Sequence, residues 1–200
     1  MKLTLPENIS EVTLGQYQTY MALLQNEGLA ELDFKRQKVE VFTGIPADDL
    51  TGIKKKDLTD ILNQIDKALE VGVKFQNSFT LDGVEFGFIP NFDNITMAEF
   101  VDLQKYNTDI ETLHNTMAIL FRPILNKDRF ENYTIEPYEG TKEYADAMKG
   151  MPLHIVNGAL GFFYHLAREL RLHIQASTRV VQAKVNALEI ILKDGDGMQV

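Results

Sequence analysis

The chain has 200 residues, 44% of them apolar and 24% charged, which is enough for one generous domain with a real core. Its net charge of −9 argues against a nucleic-acid partner, because a phosphate backbone is met by a basic surface. There is no cysteine, so disulfides, thiol chemistry and cysteine-ligated zinc are excluded.

The opening MKLTLPENIS has one lysine and no apolar run, so it does not read as a signal peptide. Leu3 and Leu5 alternate with polar residues there, as in an extended segment. Thr13 then opens a helix, with Gln16 at the spacing of a capping box. Leu14, Tyr17, Met21 and Leu24 mark its buried face, and Gly28 suits its C-terminal cap. A second helix covers Ala30 to Phe42 and ends at Gly44. The PADDL run makes a short turn before a third helix, Asp57 to Leu69, whose stripe is Leu58, Ile61, Leu62, Ile65 and Leu69.

After Gly72 the apolar period drops to two. Phe79, Leu81, Asp82-Gly83, Val84, Phe86 and Phe88 read as a hairpin over 78–88, because Asp-Gly fits a two-residue turn needing positive φ. Thr96 and Glu99 form another capping box, opening a helix expected to bury Met97, Phe100, Val101 and Leu103. Asp109 caps the next helix, which buries Leu113, Met117, Leu120 and Phe121 and is stopped by Arg122-Pro123. YTIEPY, 133–138, reads as a strand that Pro137 restricts to a sheet edge. Thr141 starts a short helix ending at Gly150.

Pro152 then opens a long central helix, about 152–174, around which the rest is organised. Leu153, Val156, Leu160, Phe163, Ala167, Leu170 and Ile174 lie on one face, while Ile155, Ala159, Phe162 and Leu166 follow a second. A helix apolar on two faces has to be surrounded by other elements. Gly158 and Gly161 inside it each cost about 1 kcal/mol against alanine, which points to close approach of another backbone, the hairpin being the candidate, with a hinge as the alternative. The longest apolar stretch, Met151 to Ala167, is interrupted by His154, Asn157 and His165 and is too short to cross a bilayer. The expected fold is α+β, mostly α: a domain over 1–174 with a small antiparallel sheet, followed by a C-terminal helix and frayed tail over 175–200. In that last segment Val181, Val185, Leu188 and Leu192 form a stripe out of phase with the central one, the candidate partner-binding residues.

Catalytic chemistry is hard to assemble from these residues. His165, Glu169 and His173 share a helix face, but the two histidines lie about 12 Å apart along the axis, too far for one ion, so a metal site there would need ligands from elsewhere. His114 and His154 have no neighbour in sequence to orient them as bases. No serine sits in a nucleophile elbow, and no glycine run resembles a phosphate cradle. Asp194-Gly195-Asp196-Gly197 starts like a calcium loop but lacks the remaining ligands. Asp48-Asp49 and Glu136 cannot be paired from sequence. Lys54-Lys55-Lys56 and the spread of Arg168, Arg171 and Arg179 lack the interleaved aromatics of a nucleic-acid surface. The expectation is therefore no enzyme, cofactor or metal.

The order of four segments carries a resemblance: FGFIPNFDNITMAEFVDLQKY, LHNTMAILFRPI, YTIEPYEGT and MPLHIVNGALGFF. Thr96, Glu99, Phe100, Asp102 and Leu103 fit "T-x-x-E-F-x-D-L", and Met117, Ala118, Leu120, Arg122, Pro123 and Ile124 fit "M-A-x-L-x-R-P-I". Together these resemble a family of small proteins encoded among the structural genes of tailed bacteriophages, over Val84 to Phe163. The resemblance implies a non-enzymatic role in virion morphogenesis, as a tail assembly chaperone in the host cytoplasm. Its partner would be another phage structural protein, a tape-measure or tail protein, with self-association and without nucleic acid or membrane. The alternatives are a permanent virion component, such as a connector or ring subunit, and an enzyme with dispersed carboxylates and histidines. Arg122 is expected to reach the carbonyls of its own helix end or to pair with Glu136.

Overall fold

The computed structural model of the protein describes residues 4–70, 74–106 and 109–163, and the chain divides into two units, Met1–Ala159 and Leu160–Val200. In the first unit, the segment expected to be extended makes a 3-10 turn, Ile9–Glu11, capped by Asn8. Thr13 and Gln16 close the predicted capping box, and α1 runs Leu14–Leu24. Its buried face differs from expectation. Leu14 is buried, but Leu24 is exposed and the helix ends at Gln25, before Gly28. Tyr20 makes much of the contact with α2 (Glu31–Thr43), its ring 5.5 Å from Phe42 and 6.5 Å from Phe34.

Gly44 ends α2 at φ 72°, the left-handed conformation that glycine adopts without strain. α3 (Lys55–Ala68) packs Leu58, Ile61 and Ile65 inward, with Leu62 half-buried. Between these helices Lys38 is buried. Its ammonium reaches the Asp66 carboxylate and lies 5.2 Å from the centre of the Tyr20 ring, so a desolvated charge keeps two partners.

The sheet is antiparallel, in the order β1 (Ser78–Leu81), β2 (Val84–Phe88), β3 (Phe121–Lys127), β4 (Tyr133–Ile135). Asp82 (φ 49°) and Gly83 (φ 82°) make the tight turn that their sequence requires. β4 is an edge strand, shorter than the predicted 133–138. The unexpected strand is β3. α5 (Leu113–Leu120) stops where Arg122-Pro123 demanded, but the chain passes straight into the sheet and pairs Gly87 with Arg122 and Phe88 with Phe121. Pro123 brings no N–H to the ladder, yet its carbonyl accepts from Glu136 N–H at 3.0 Å. Phe121, Arg122 and Pro123 are all buried, and a residue run covered on both faces belongs in the middle of a sheet.

Gly87 opens room beside β3: a Cβ there would stand 2.5 Å from the Tyr133 ring. That ring crosses the gap, and its O–H is shared between the carbonyls of Asn77 and Phe88, at 2.8 and 2.9 Å. On the core side Phe79, Phe86, Phe88 and Phe121 pack with ring centroids 5.1–5.6 Å apart.

α4 (Met97–Tyr106) precedes α5, and α6 (Ala145–Met148) begins later than Thr141, whose carbonyl accepts from Ala145 N–H. Pro152 caps the central helix rather than filling its first turn. A bridge between Thr13 and Pro152, with Leu14 N–H donating to Met151 and Leu153 N–H to Val12, ties the two helix starts together. Over 153–159 both expected stripes are inside: Leu153, Val156, Ile155 and Ala159 are all buried. Gly158 is needed there, because a Cβ would meet the Lys74 carbonyl at 2.7 Å. The approaching backbone is the segment leading into the hairpin, not the hairpin itself. In the second unit, residues 160–163 are helical, with Phe162 and Phe163 in edge-to-face contact, and Gly161 is exposed. The predicted continuation to Ile174 and the helix beyond it lie outside the described residues. No described helix is long and apolar enough to cross a membrane.

Candidate functional site

α4 carries the main correction to the sequence reading. Thr96 and Glu99 do form the capping box: Glu99 N–H donates to Thr96 Oγ1, and Thr96 N–H to Glu99 Oε2. The box does not leave its glutamate in water, however. Glu99 is only 3% exposed, while Met97, Phe100 and Val101, expected inside, are 75%, 43% and 52% exposed. The inward stripe of α4 is Glu99, Asp102, Leu103 and Tyr106, spaced as one helical face. The apolar residues at 97, 100 and 101 form a face of their own, pointing to solvent.

The reason lies on β3. Arg122 is 7% exposed and directs Nη2 at Glu99 Oε1, 2.6 Å away. A guanidinium buried in a central strand must be neutralised, and a glutamate on the first turn of α4 supplies the charge. Neither partner expected for Arg122, its own helix-end carbonyls or Glu136, is the one it uses. The guanidinium also lies 5.6 Å from the centre of the Tyr138 ring, and Tyr138 O–H donates to Asp102 Oδ2 at 2.6 Å. Three of the motif segments thus meet in one polar cluster: Glu99 and Asp102, Arg122, and Tyr138.

Glu136 takes Tyr144 instead, accepting its O–H at 2.7 Å. Arg122, Leu125, Glu136, Glu139, Glu143 and Tyr144 line a cavity of about 270 Å³ beside the cluster. Burial, with Asp102 beside it, pushes the Tyr138 phenol well above its ordinary pKa. The hydrogen bond to Glu136, followed by burial, does the same for Tyr144. Both phenols therefore stay protonated at neutral pH and donate their hydrogen bonds to the carboxylates. Arg122 Nε has no partner and is closed off from solvent, so a molecule in the cavity could not reach it without movement.

The other residues singled out from sequence are dispersed. His114 is half-buried, with Gln18 Nε2 3.1 Å from its Nδ1. His154 lies elsewhere, on the central helix, with a buried Nδ1 that has no partner. Burial lowers the pKa of both, and the Lys149 charge lowers that of His114 further. Among the described residues no group of three or more His, Asp or Glu could hold a metal ion. His165, Glu169 and His173, the Asp194–Gly197 run, and the partner-binding candidates Val181, Val185, Leu188 and Leu192 lie outside the described residues. Comparison with family models, with curated proteins and with solved structures finds no match for this chain.

Proposed function

We propose that this chain is a non-enzymatic bacteriophage morphogenesis protein, a tail assembly chaperone that holds another phage protein on the outer face of α4. The observation that carries this reading is the inversion of that helix. Met97, Phe100 and Val101 face solvent while a glutamate is buried behind them, at the structural cost of a desolvated ion pair. An apolar helix face kept outside by a buried polar latch supports protein binding, because water alone gives no reason to expose it. The resemblance over Val84 to Phe163 adds the phage context, and α4 lies within it. The polar cluster supports a holding role over a chemical one, since its phenols are kept protonated and its Arg122 is already paired.

The test is a Met97→Gln, Phe100→Gln, Val101→Gln variant in the phage, with glutamine chosen because it keeps helix propensity. The variant protein should melt with the wild type, while tail assembly and co-purification with the client fail. Normal tails would refute the role of α4. Mass spectrometry of purified particles separates the chaperone from a permanent component: the chaperone should be absent from the mature virion.

A further inference from the structure

A second surface, independent of α4, has an unusual composition for so acidic a chain. α2 contributes Leu32, Lys35 and Arg36, spaced i, i+3 and i+4. α3 contributes Lys55, Leu58, Thr59 and Leu62, spaced i, i+3, i+4 and i+7. Together with the 3-10 turn Ala47–Gly52, which supplies Leu50, these two ridges enclose a groove of about 490 Å³. Leu50 and Leu58 are its buried floor, and Leu32 stands 55% exposed at its lip. The lining holds three cations and no carboxylate, in a protein whose net charge is −9.

Two of the cations have partners within α2: Lys35 pairs with Glu31, whose side chain is 82% exposed, and the half-buried Arg36 pairs with Asp33, and both carboxylates lie outside the lining. The exposed Lys35–Glu31 pair contributes little and exchanges readily. Lys55 makes no ion pair among the described residues. Arg36 Nε is buried without a partner. The Glu31 carboxyl is held below its ordinary pKa, first by Lys35 and also by Lys55, so the two ammonium groups act on the same place.

We infer that this groove is a docking site for an acidic amphipathic helix of a partner protein. Two neighbouring helical ridges leave a trough that suits a third helix, whose apolar side chains at i, i+3 or i+4, and i+7 would rest on Leu50, Leu58 and Leu62. Its carboxylates would then stand opposite Lys35, Arg36 and Lys55. A membrane is disfavoured, because the apolar surface is recessed between ridges and does not project as an insertable face.

The full-length protein can be titrated with a fluorescein-labelled helical peptide carrying leucines at those spacings and glutamates beside them. Saturable binding is expected, weakened at least tenfold when the glutamates are replaced by lysines, and weakened comparably by Lys35→Glu with Lys55→Glu. Leu32→Gln should weaken it severalfold. The peptide comparison uses wild-type protein alone, so it stands even if a variant folds poorly. No saturable binding, equal affinity for the two peptides, or equal affinity for a leucine-free glutamate peptide would overturn the proposal. Tighter association with vesicles containing phosphatidylserine than with the peptide would overturn it too, in favour of a membrane surface. None of these variants touches α4, so loss of tail assembly in the α4 variant and loss of peptide binding here are separate results.

Discussion

Replacing Arg122 with methionine tests the latch between α4 and the sheet. Methionine keeps the length and apolar stem of the side chain but leaves Glu99 buried opposite no charge. Removing one partner of a buried pair costs about 3–5 kcal/mol, far more than the pair's net worth against an apolar substitute. Loss of the contact with the Tyr138 ring adds a smaller amount in the same direction. For a protein of this size that corresponds to a fall in Tm of about 6–20 °C. Glu99→Gln keeps an oxygen to accept from Thr96 N–H and removes the charge, so it isolates the ion pair from the cap. The double variant, with neither charge, should be no less stable than Arg122→Met alone. The coupling between the two positions should exceed about 1.5 kcal/mol. Urea denaturation of the four proteins at pH 7 measures the cycle. Single variants within about 1 kcal/mol of wild type, or additive effects, would show that Glu99 and Arg122 do not hold α4 in place.

Gly83→Val puts a β-branched residue at φ 82° in the hairpin turn and should cost about 1–2 kcal/mol or more; an unshifted urea midpoint would mean that the turn is not strained. Gly87→Ala drives a methyl group against the Tyr133 ring, 2.5 Å away, and against Ile124 Cγ1, 2.9 Å away, and should destabilise the protein. In a Tyr133→Ala background, which removes the nearer obstacle, the same change should cost less in thermal melts, and an equal cost would take the Tyr133 ring out of the account. His114 and His154 have folded pKa values below their ordinary value of about 6.5, so the unfolded chain binds protons more readily. Their contribution to stability is complete above that value and is lost as the pH falls through it toward the folded pKa values. Denaturation midpoints should therefore drop between about pH 7 and 5, and His154→Gln should flatten that decline; an identical slope would remove His154 from the account.

Local chemistry was legible in the sequence wherever a few neighbouring residues decide the outcome. The Thr13–Gln16 and Thr96–Glu99 boxes, Gly44 at its left-handed cap and the Asp82-Gly83 turn each follow from backbone groups that need partners or a φ that only certain residues tolerate. The two buried stripes over 153–159 followed from period alone, and Gly158 announced a close backbone, which is the segment before the hairpin and not the hairpin expected there. Tertiary structure decided what period leaves ambiguous. Phe121 to Lys127 carries no alternation, because its first residues are covered on both faces, and so a central strand read as the end of a helix. α4 has apolar residues at helical spacing on one face and a mixed face beside them. The apolar face would normally go inward, but Arg122 is buried in the sheet and Glu99 is the carboxylate that neutralises it, which holds the helix with its mixed face inward. Pairing a charge across residues 99 and 122 is a long-range electrostatic requirement, and nothing in the local pattern of either segment records it.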